Sequence, residues 1–138
     1  MATDAVAQAS ISAPGLTVAL LQAGAYCDGL LGAALTSSDG HAIVATGSLQ
    51  GTNAPTCGGE LMAQLDAQLA MLRAGPVQEA LLWTATGPWY LCRIGEWPQV
   101  LVLQALPMPH PAMLRHAGQV TARRLANLLA MPSAAVLN

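Results

Sequence analysis

Glu60-Leu-Met-Ala-Gln-Leu-Asp-Ala-Gln-Leu-Ala-Met-Leu-Arg-Ala74 decides the architecture of this chain, together with the Gly75-Pro76 that stops it and the three apolar runs that follow at 78–85, 89–94 and 99–106. Projected at about 100° per residue, Leu61, Met62, Leu65, Leu69 and Leu72 share one face. Ala63, Ala67, Ala70 and Met71 occupy another, with Gln64, Gln68, Asp66 and Arg73 as narrow strips between. A helix with two apolar faces has two neighbours. The leucine face suits the chain's own sheet, while small alanines permit the close backbone approach of helix against helix. In the runs that follow, Ala80-Leu-Leu-Trp83, Tyr90-Leu-Cys92 and Val100-Leu-Val-Leu103 are apolar at consecutive positions. Such strands need cover on both faces of their sheet. Gly87-Pro88 and Gly95-Glu-Trp-Pro98 read as the turns between them.

Upstream, residues 1–11 are small and polar without periodicity and read as a frayed arm. Ser12 and Pro14 read as a helix start, with Leu16, Leu20 and Leu21 at helical spacing and an end near Gly24. Residues 29–35 and 41–46 flank Thr36-Ser-Ser-Asp-Gly40, in which Asp39-Gly40 is expected to supply the positive φ angles of a tight hairpin. Residues 47–59, rich in Gly, Ser, Thr, Asn and Pro, read as a flexible connection. Downstream, Pro107, Pro109 and Pro111 mark a boundary before a last helix over 112–130. Leu114, Ala117, Thr121, Leu125 and Leu128 form its buried stripe, and His116, Gln119, Arg123 and Asn127 its polar side. Pro132 ends it, leaving 132–138 as a tail.

The sum is one α/β domain of the α+β kind over 12–131, in the order αββαβββα. Its composition is unusual for a soluble domain: 54% apolar and only 9% charged, with five Arg and no Lys. So thin a charged coat leaves apolar surface for a partner to cover, which favours oligomerisation. A net charge of -2 gives no field to hold phosphates, so nucleic acid is not an expected partner. Apolar stretches such as 29–35 and 100–103 are far shorter than the roughly 20 residues of a spanning helix, and residues 1–8 lack the positive region of a secretory signal. A cytoplasmic protein is expected, its three cysteines (Cys27, Cys57, Cys92) reduced.

Signals for chemistry are weak. Cys57 precedes the mid-chain helix, where the dipole favours a thiolate, and His41 is a candidate base, but no cysteine-enzyme signature surrounds either. His110 and His116 are six apart and Cys57 and Glu60 three apart, with no Cys-x-x-Cys or His-x-x-x-His, so no metal site is expected. No Gly-x-Ser-x-Gly elbow and no Gly-Lys-Ser/Thr cradle occurs, which leaves no catalytic residue and no cofactor to assign. Trp97, an aromatic in a turn, and the polar face of His116, Arg123 and Asn127 are candidates for partner binding, against the commoner reading of a solvated surface. Trp83 reads as core or interface. A small-molecule sensor is the alternative from another class; Tyr90, Cys92 and Thr84 are its few candidate buried polar groups.

The order of elements and loop chemistries resembles the dynein light chain Roadblock family over residues 12–131. Three segments carry the likeness: the hairpin Gly32-Ala-Ala-Leu-Thr-Ser-Ser-Asp-Gly-His-Ala-Ile-Val-Ala-Thr-Gly47, the amphipathic helix 60–74 leading into the meander 78–106, and the closing Pro109-His-Pro-Ala-Met-Leu-Arg-His-Ala117. The resemblance implies a profilin-like sandwich, a five-stranded antiparallel sheet with two helices on one face and one on the other. It also implies homodimers or heterodimers built from the mid-chain helix and third strand, which here places Ala63, Ala67, Ala70, Met71, Glu79, Leu81 and Trp83 in the contact. Bacterial members of the family partner small Ras-like GTPases and some raise GTP hydrolysis in the partner, while others are scaffold subunits. The absence of Lys departs from what a GTPase-activating surface needs and touches a docking role less.

Overall fold

The structure, a computed structural model, describes residues 14–108 and 111–130. The expectations on Ser12, on the arm 1–11 and on the tail 132–138 lie outside these residues. Helix α1 occupies residues 14–22 and runs into a 3-10 turn at Ala23–Ala25. Strands β1 (Leu30–Ser37) and β2 (Ala42–Gly47), helix α2 (Ala54–Ala70), strands β3 (Glu79–Thr84), β4 (Gly87–Arg93) and β5 (Gln99–Ala105), and helix α3 (Ala112–Leu129) follow. The strands form one antiparallel sheet in the order β2-β1-β5-β4-β3. β2 and β3 are therefore its edges.

Because successive strand residues point to opposite faces, each central strand feeds two cores. Ala33, Leu35, Tyr90, Cys92, Leu101 and Leu103 meet Leu16 and Leu20 of α1 and Leu114 and Leu125 of α3. Ala34, Leu91, Val100 and Val102 meet Met62 of α2 and Leu49. Two helices cover one face and one covers the other, as the consecutive apolar runs require.

Several local readings are corrected. Residues 54–59 are helix, not connection. Pro55 sits in the first turn, where a missing N–H costs nothing, and the Ala54 N–H donates to Thr52 Oγ1. The glycines that suggested a loop are instead where the backbone touches the sheet. A Cβ on Gly58 would stand 2.7 Å from Val102 Cγ2, and one on Gly59 2.7 Å from the Ser37 carbonyl. At its other end α2 stops at Ala70 rather than Ala74, because Arg73 takes a positive φ of 56°. Leu72 is thus off the helix and 73% exposed, not on a buried leucine face. Leu21 is exposed too, Ala19 and Ala23 completing the buried stripe of Leu16 and Leu20.

The hairpin is a three-residue loop and not a two-residue one. The Gly40 N–H donates to the Ser37 carbonyl, Gly40 alone takes the positive φ (92°), and the register slips between Leu35 and Thr36. That is a type I turn closed by a bulge at glycine. Gly87 and Pro88 lie in β4, paired with Thr84 and Trp83, so the turn is Ala85-Thr86. Pro88 is tolerated because pairing of β4 with β5 begins one residue later, at Trp89.

Candidate protein interaction surface

The buried residues of α2, Pro55, Gly58, Gly59 and Met62, all lie in its first half. Beyond Met62 the helix rides up on its leucines: Leu61, Leu65 and Leu69 are only half-buried, and Ala63, Ala67, Ala70 and Met71 are open to solvent, Met71 at 81%. Beside it, edge strand β3 is no better covered. Ala80, Leu81 and Leu82 are half-buried and Trp83 is 56% exposed. Leu61, Ala80, Leu82 and Val77 join one apolar cluster with buried Met62, so the open flank of α2 and the open strand edge border the same core. An edge strand also presents unpaired N–H and C=O groups.

Two sets of polar ties fix this flank to the rest of the fold. Asp66 on α2 accepts a hydrogen bond from the Val77 N–H at 2.7 Å and pairs with Arg93 at the end of β4, whose Nε donates to the Val77 carbonyl at 2.6 Å. The chain between α2 and β3 is thereby held by one carboxylate and one guanidinium. At the start of β3, Glu79 accepts from Arg115 Nε (2.5 Å), from Gln119 Nε2 (3.3 Å) and from the hydroxyl of buried Tyr90 (2.8 Å). The Arg115 hydrogen bond, aided by that of Tyr90, holds the Glu79 carboxyl below its ordinary range. Of the residues expected at an interface between copies, Ala63, Ala67, Ala70, Met71 and Trp83 stand exposed. Leu81 packs half-buried against the α1/α3 core, and the Glu79 carboxylate turns to α3 of its own chain.

None of these ties was anticipated, although a signal existed. In a chain with so few charges, Glu79 and Arg93 sit inside apolar runs, where a charge must find a partner. Which partner could not be read, since Arg115 is 36 residues from Glu79 and Asp66 27 from Arg93.

The other candidates scatter. His116, Arg123 and Asn127 share the exposed side of α3, with His116 edge-on to Tyr26 at 5.7 Å between ring centres. Trp97 lies in the β4–β5 turn, 39% exposed, its N–H donating to the Ile94 carbonyl. Cys57 is an exposed free thiol in the first turn of α2, and His41 is exposed with Asp39 3.7 Å away. Of the polar groups considered for a sensor pocket, Thr84 is exposed rather than buried and bonds back to the Gly87 carbonyl in its own turn. Tyr90 is committed to Glu79, and burial pushes the Cys92 thiol up to about 12. Among the described residues no group of three His, Cys, Asp or Glu could hold a metal ion, and no helix is long and apolar enough to cross a membrane.

No family model and no curated protein matches the chain. Solved structures do. A Roadblock/LC7 domain from Streptomyces avermitilis superposes with a TM-score of 0.73 at 13% identity, over 82% of this chain and 96% of that one. Myxococcus xanthus MglB gives 0.74 at 12% identity, over 83% and 94%. The gliding protein MglB of Thermus thermophilus gives 0.70 at 17% identity, over 82% and 87%. At these identities the likeness is one of fold, and the fold is that of Roadblock/LC7 domains.

Proposed function

Starting from a Roadblock/LC7 fold whose mid-chain helix and third strand both lie open, we propose that this chain is a non-catalytic scaffold or regulator that pairs with a copy of itself, or with a paralogous subunit, through α2 and β3. One observation carries the reading: Ala63, Ala67 and Ala70 on α2, Met71 just past its end and Trp83 on the open edge strand β3 are apolar and exposed, and Ala80 and Leu82 of that strand share a core with Leu61 and Met62 of α2. A second α2 laid across the alanines would bury them at close backbone distance, and edge strands meeting across the contact would satisfy their free N–H and C=O groups. Glu79 then acts from behind, tying β3 to α3 so that the edge is presented in a fixed position.

The paired subunits dock a small Ras-like GTPase or a related signalling protein and act in the cytoplasm, where free Cys27, Cys57 and Cys92 stay reduced. The docking role rests on the family resemblance and on the likeness in fold to MglB. Scarcity of cationic side chains favours docking over direct stabilisation of a hydrolysing phosphate.

Light scattering on a gel-filtration column tests the pairing. The chain should elute at the mass of two subunits. Ala67→Glu, which forces a desolvated carboxylate into the contact at about 3 kcal/mol or more, should elute at the mass of one with its circular dichroism unchanged. A monomer at high concentration, or a variant that stays paired, overturns the assignment. Calorimetric titration with a small Ras-like GTPase of the same cell, loaded with GDP or with a GTP analogue, tests the docking separately. Binding should prefer one nucleotide state, and no heat in either state rejects the partner while leaving the pairing result standing.

A further inference from the structure

On the opposite side of the sheet from α2, helices α1 and α3 leave an open groove of about 640 Å³ between them. Its lining includes Val18, Ala19 and Leu128, with Gln22, Arg124 and Asn127 supplying the polar groups. Val18 is 51% exposed although aliphatic. The size is that of a site for a ligand or a few side chains.

Charge decides what the groove accepts. Residues 14–22 carry no charge, and α3 holds Arg115, Arg123 and Arg124 without one acidic residue. Arg115 is spent on Glu79. Arg123 and Arg124 have no carboxylate within ion-pair distance among the described residues. Arg124 is nevertheless fixed: its Nη1 donates to Gln22 Oε1 (2.9 Å), its Nη2 to the Tyr26 hydroxyl (2.8 Å), and its guanidinium lies 5.4 Å from the centre of the Tyr26 ring. A guanidinium has five N–H donors in a rigid fork. These neutral partners use two of them, which leaves a pre-oriented cation with donors to spare beside an apolar floor.

We infer that the α1/α3 groove binds a segment of another protein in which a carboxylate side chain lies within one helical turn of a large aliphatic one, the carboxylate on Arg124 and the aliphatic side chain against Val18, Ala19 and Leu128. A second copy related by a two-fold axis does not fit this face, because the contact would return the same cations to it. Of the chain's own ends, residues 131–138, Met-Pro-Ser-Ala-Ala-Val-Leu-Asn, carry no acidic side chain, and residues 1–13 carry one, Asp4. A chain without residues 1–11 should therefore bind the selected peptide no more tightly than the full chain, and a tighter complex would make that arm the occupant and overturn the inference. An anionic membrane would find two guanidiniums and no lysine.

The probe is a phage-displayed library of random peptides of about twelve residues, some three helical turns, selected on the full chain. The best sequence is then measured by fluorescence anisotropy. Enriched peptides should pair Asp or Glu with Leu, Ile or Met three or four positions away. Changing the acid to its amide, or the protein by Arg124→Gln or Val18→Asp, should each weaken binding about tenfold or more, the range of one charge-assisted hydrogen bond. Asn127→Glu, an exposed change at the rim, should weaken binding by repulsion and serves where Arg124→Gln lowers the melting temperature. Ala67→Glu on the other face should leave the peptide affinity unchanged, whether or not the copies stay paired. The inference is overturned if selected peptides show no acid, if they bind Val18→Asp and Asn127→Glu as tightly as the parent, or if Ala67→Glu abolishes binding. It is overturned equally if phosphatidylserine-rich vesicles, in place of peptide, bind in an Arg124-dependent way.

Discussion

The two long helices occupy opposite faces of one sheet and are nearly equal in length, yet they bury themselves differently. In α3, six residues from Leu114 to Leu125 are buried, spread over most of its length, and the side turned away carries His116, Gln119, Arg123 and Asn127. In α2 four are buried, none beyond Met62, and the side turned away carries Ala63, Ala67 and Ala70. A helix with one neighbour has one apolar stripe and a polar remainder. By that rule the apolar stripe of α3 is covered within the chain from Leu114 to Leu125, and that of α2 is not covered beyond Met62. The contrast locates the unfinished surface on the second half of α2 and on β3 beside it, independently of any resemblance.

Placing a charge on each helix in turn is the strongest attempt to break the contrast. Ala67→Glu should abolish pairing altogether while leaving the folded subunit, whereas Arg123→Glu on the exposed side of α3 should change neither the mass in solution nor, beyond about 0.5 kcal/mol, the stability. If both variants stay paired, or both dissociate, the asymmetry between the helices is not an interface signal. A smaller effect is expected from Gly118→Ala. The added Cβ would overlap the edge of the ring of buried Tyr90, at its Cε2 and Cδ2 atoms, so α3 would have to lift from β4 at about 3 kcal/mol, read as a lowered denaturation midpoint. Exposed Gly51, whose Cβ would meet nothing, serves as the control for glycine loss itself, although its φ of 75° carries a strain cost.

Periodicity made most of this legible. The order of elements, both sheet faces, the buried stripe of α3 and the two apolar faces of α2 all follow from spacing, because burial selects side chains at 3.6 and 2 residue intervals. What spacing misread is glycine and proline. Gly58 and Gly59 looked like loop and are helix, since their missing side chains admit Val102 and the Ser37 carbonyl; Gly87 and Pro88 looked like a turn and are strand. The same residue types serve close approach and chain reversal, and only tertiary context separates them. The ties of Asp66 to Arg93 and of Glu79 to Arg115 were illegible for another reason: a pairing across tens of residues depends on the finished sheet. Exposure of the α2 flank could be suspected from its second apolar face, but the groove between α1 and α3 has no periodic signature at all.

Those two ties sharpen the comparison further, since each belongs to one face. Asp66→Ala on the α2 side strips the partner from Arg93, whose side chain is only 17% exposed, and frees the Val77 N–H. A loss of about 2 kcal/mol is expected. It should come with faster amide exchange at 77–79, because the segment feeding β3 loses its anchor.

The smallest effect concerns the α3 side and appears only in acid. In the folded chain the Glu79 carboxyl is held below its ordinary range, first by the Arg115 hydrogen bond and then by that of Tyr90. A carboxyl with a depressed folded pKa binds protons more readily when unfolded. Its contribution is therefore fully present above the unfolded value, about 4.3, and is lost as pH falls through the lower folded one. At neutral pH Glu79→Gln should cost little, because the side chain is a third exposed and water screens its pair with Arg115. Between about pH 5 and about pH 3, a window placed by the unfolded carboxyl, the parent should lose stability more steeply than the variant in parallel denaturant titrations. If the two curves stay parallel, Glu79 does not hold β3 to α3, and the edge strand is positioned by its pairing with β4 alone.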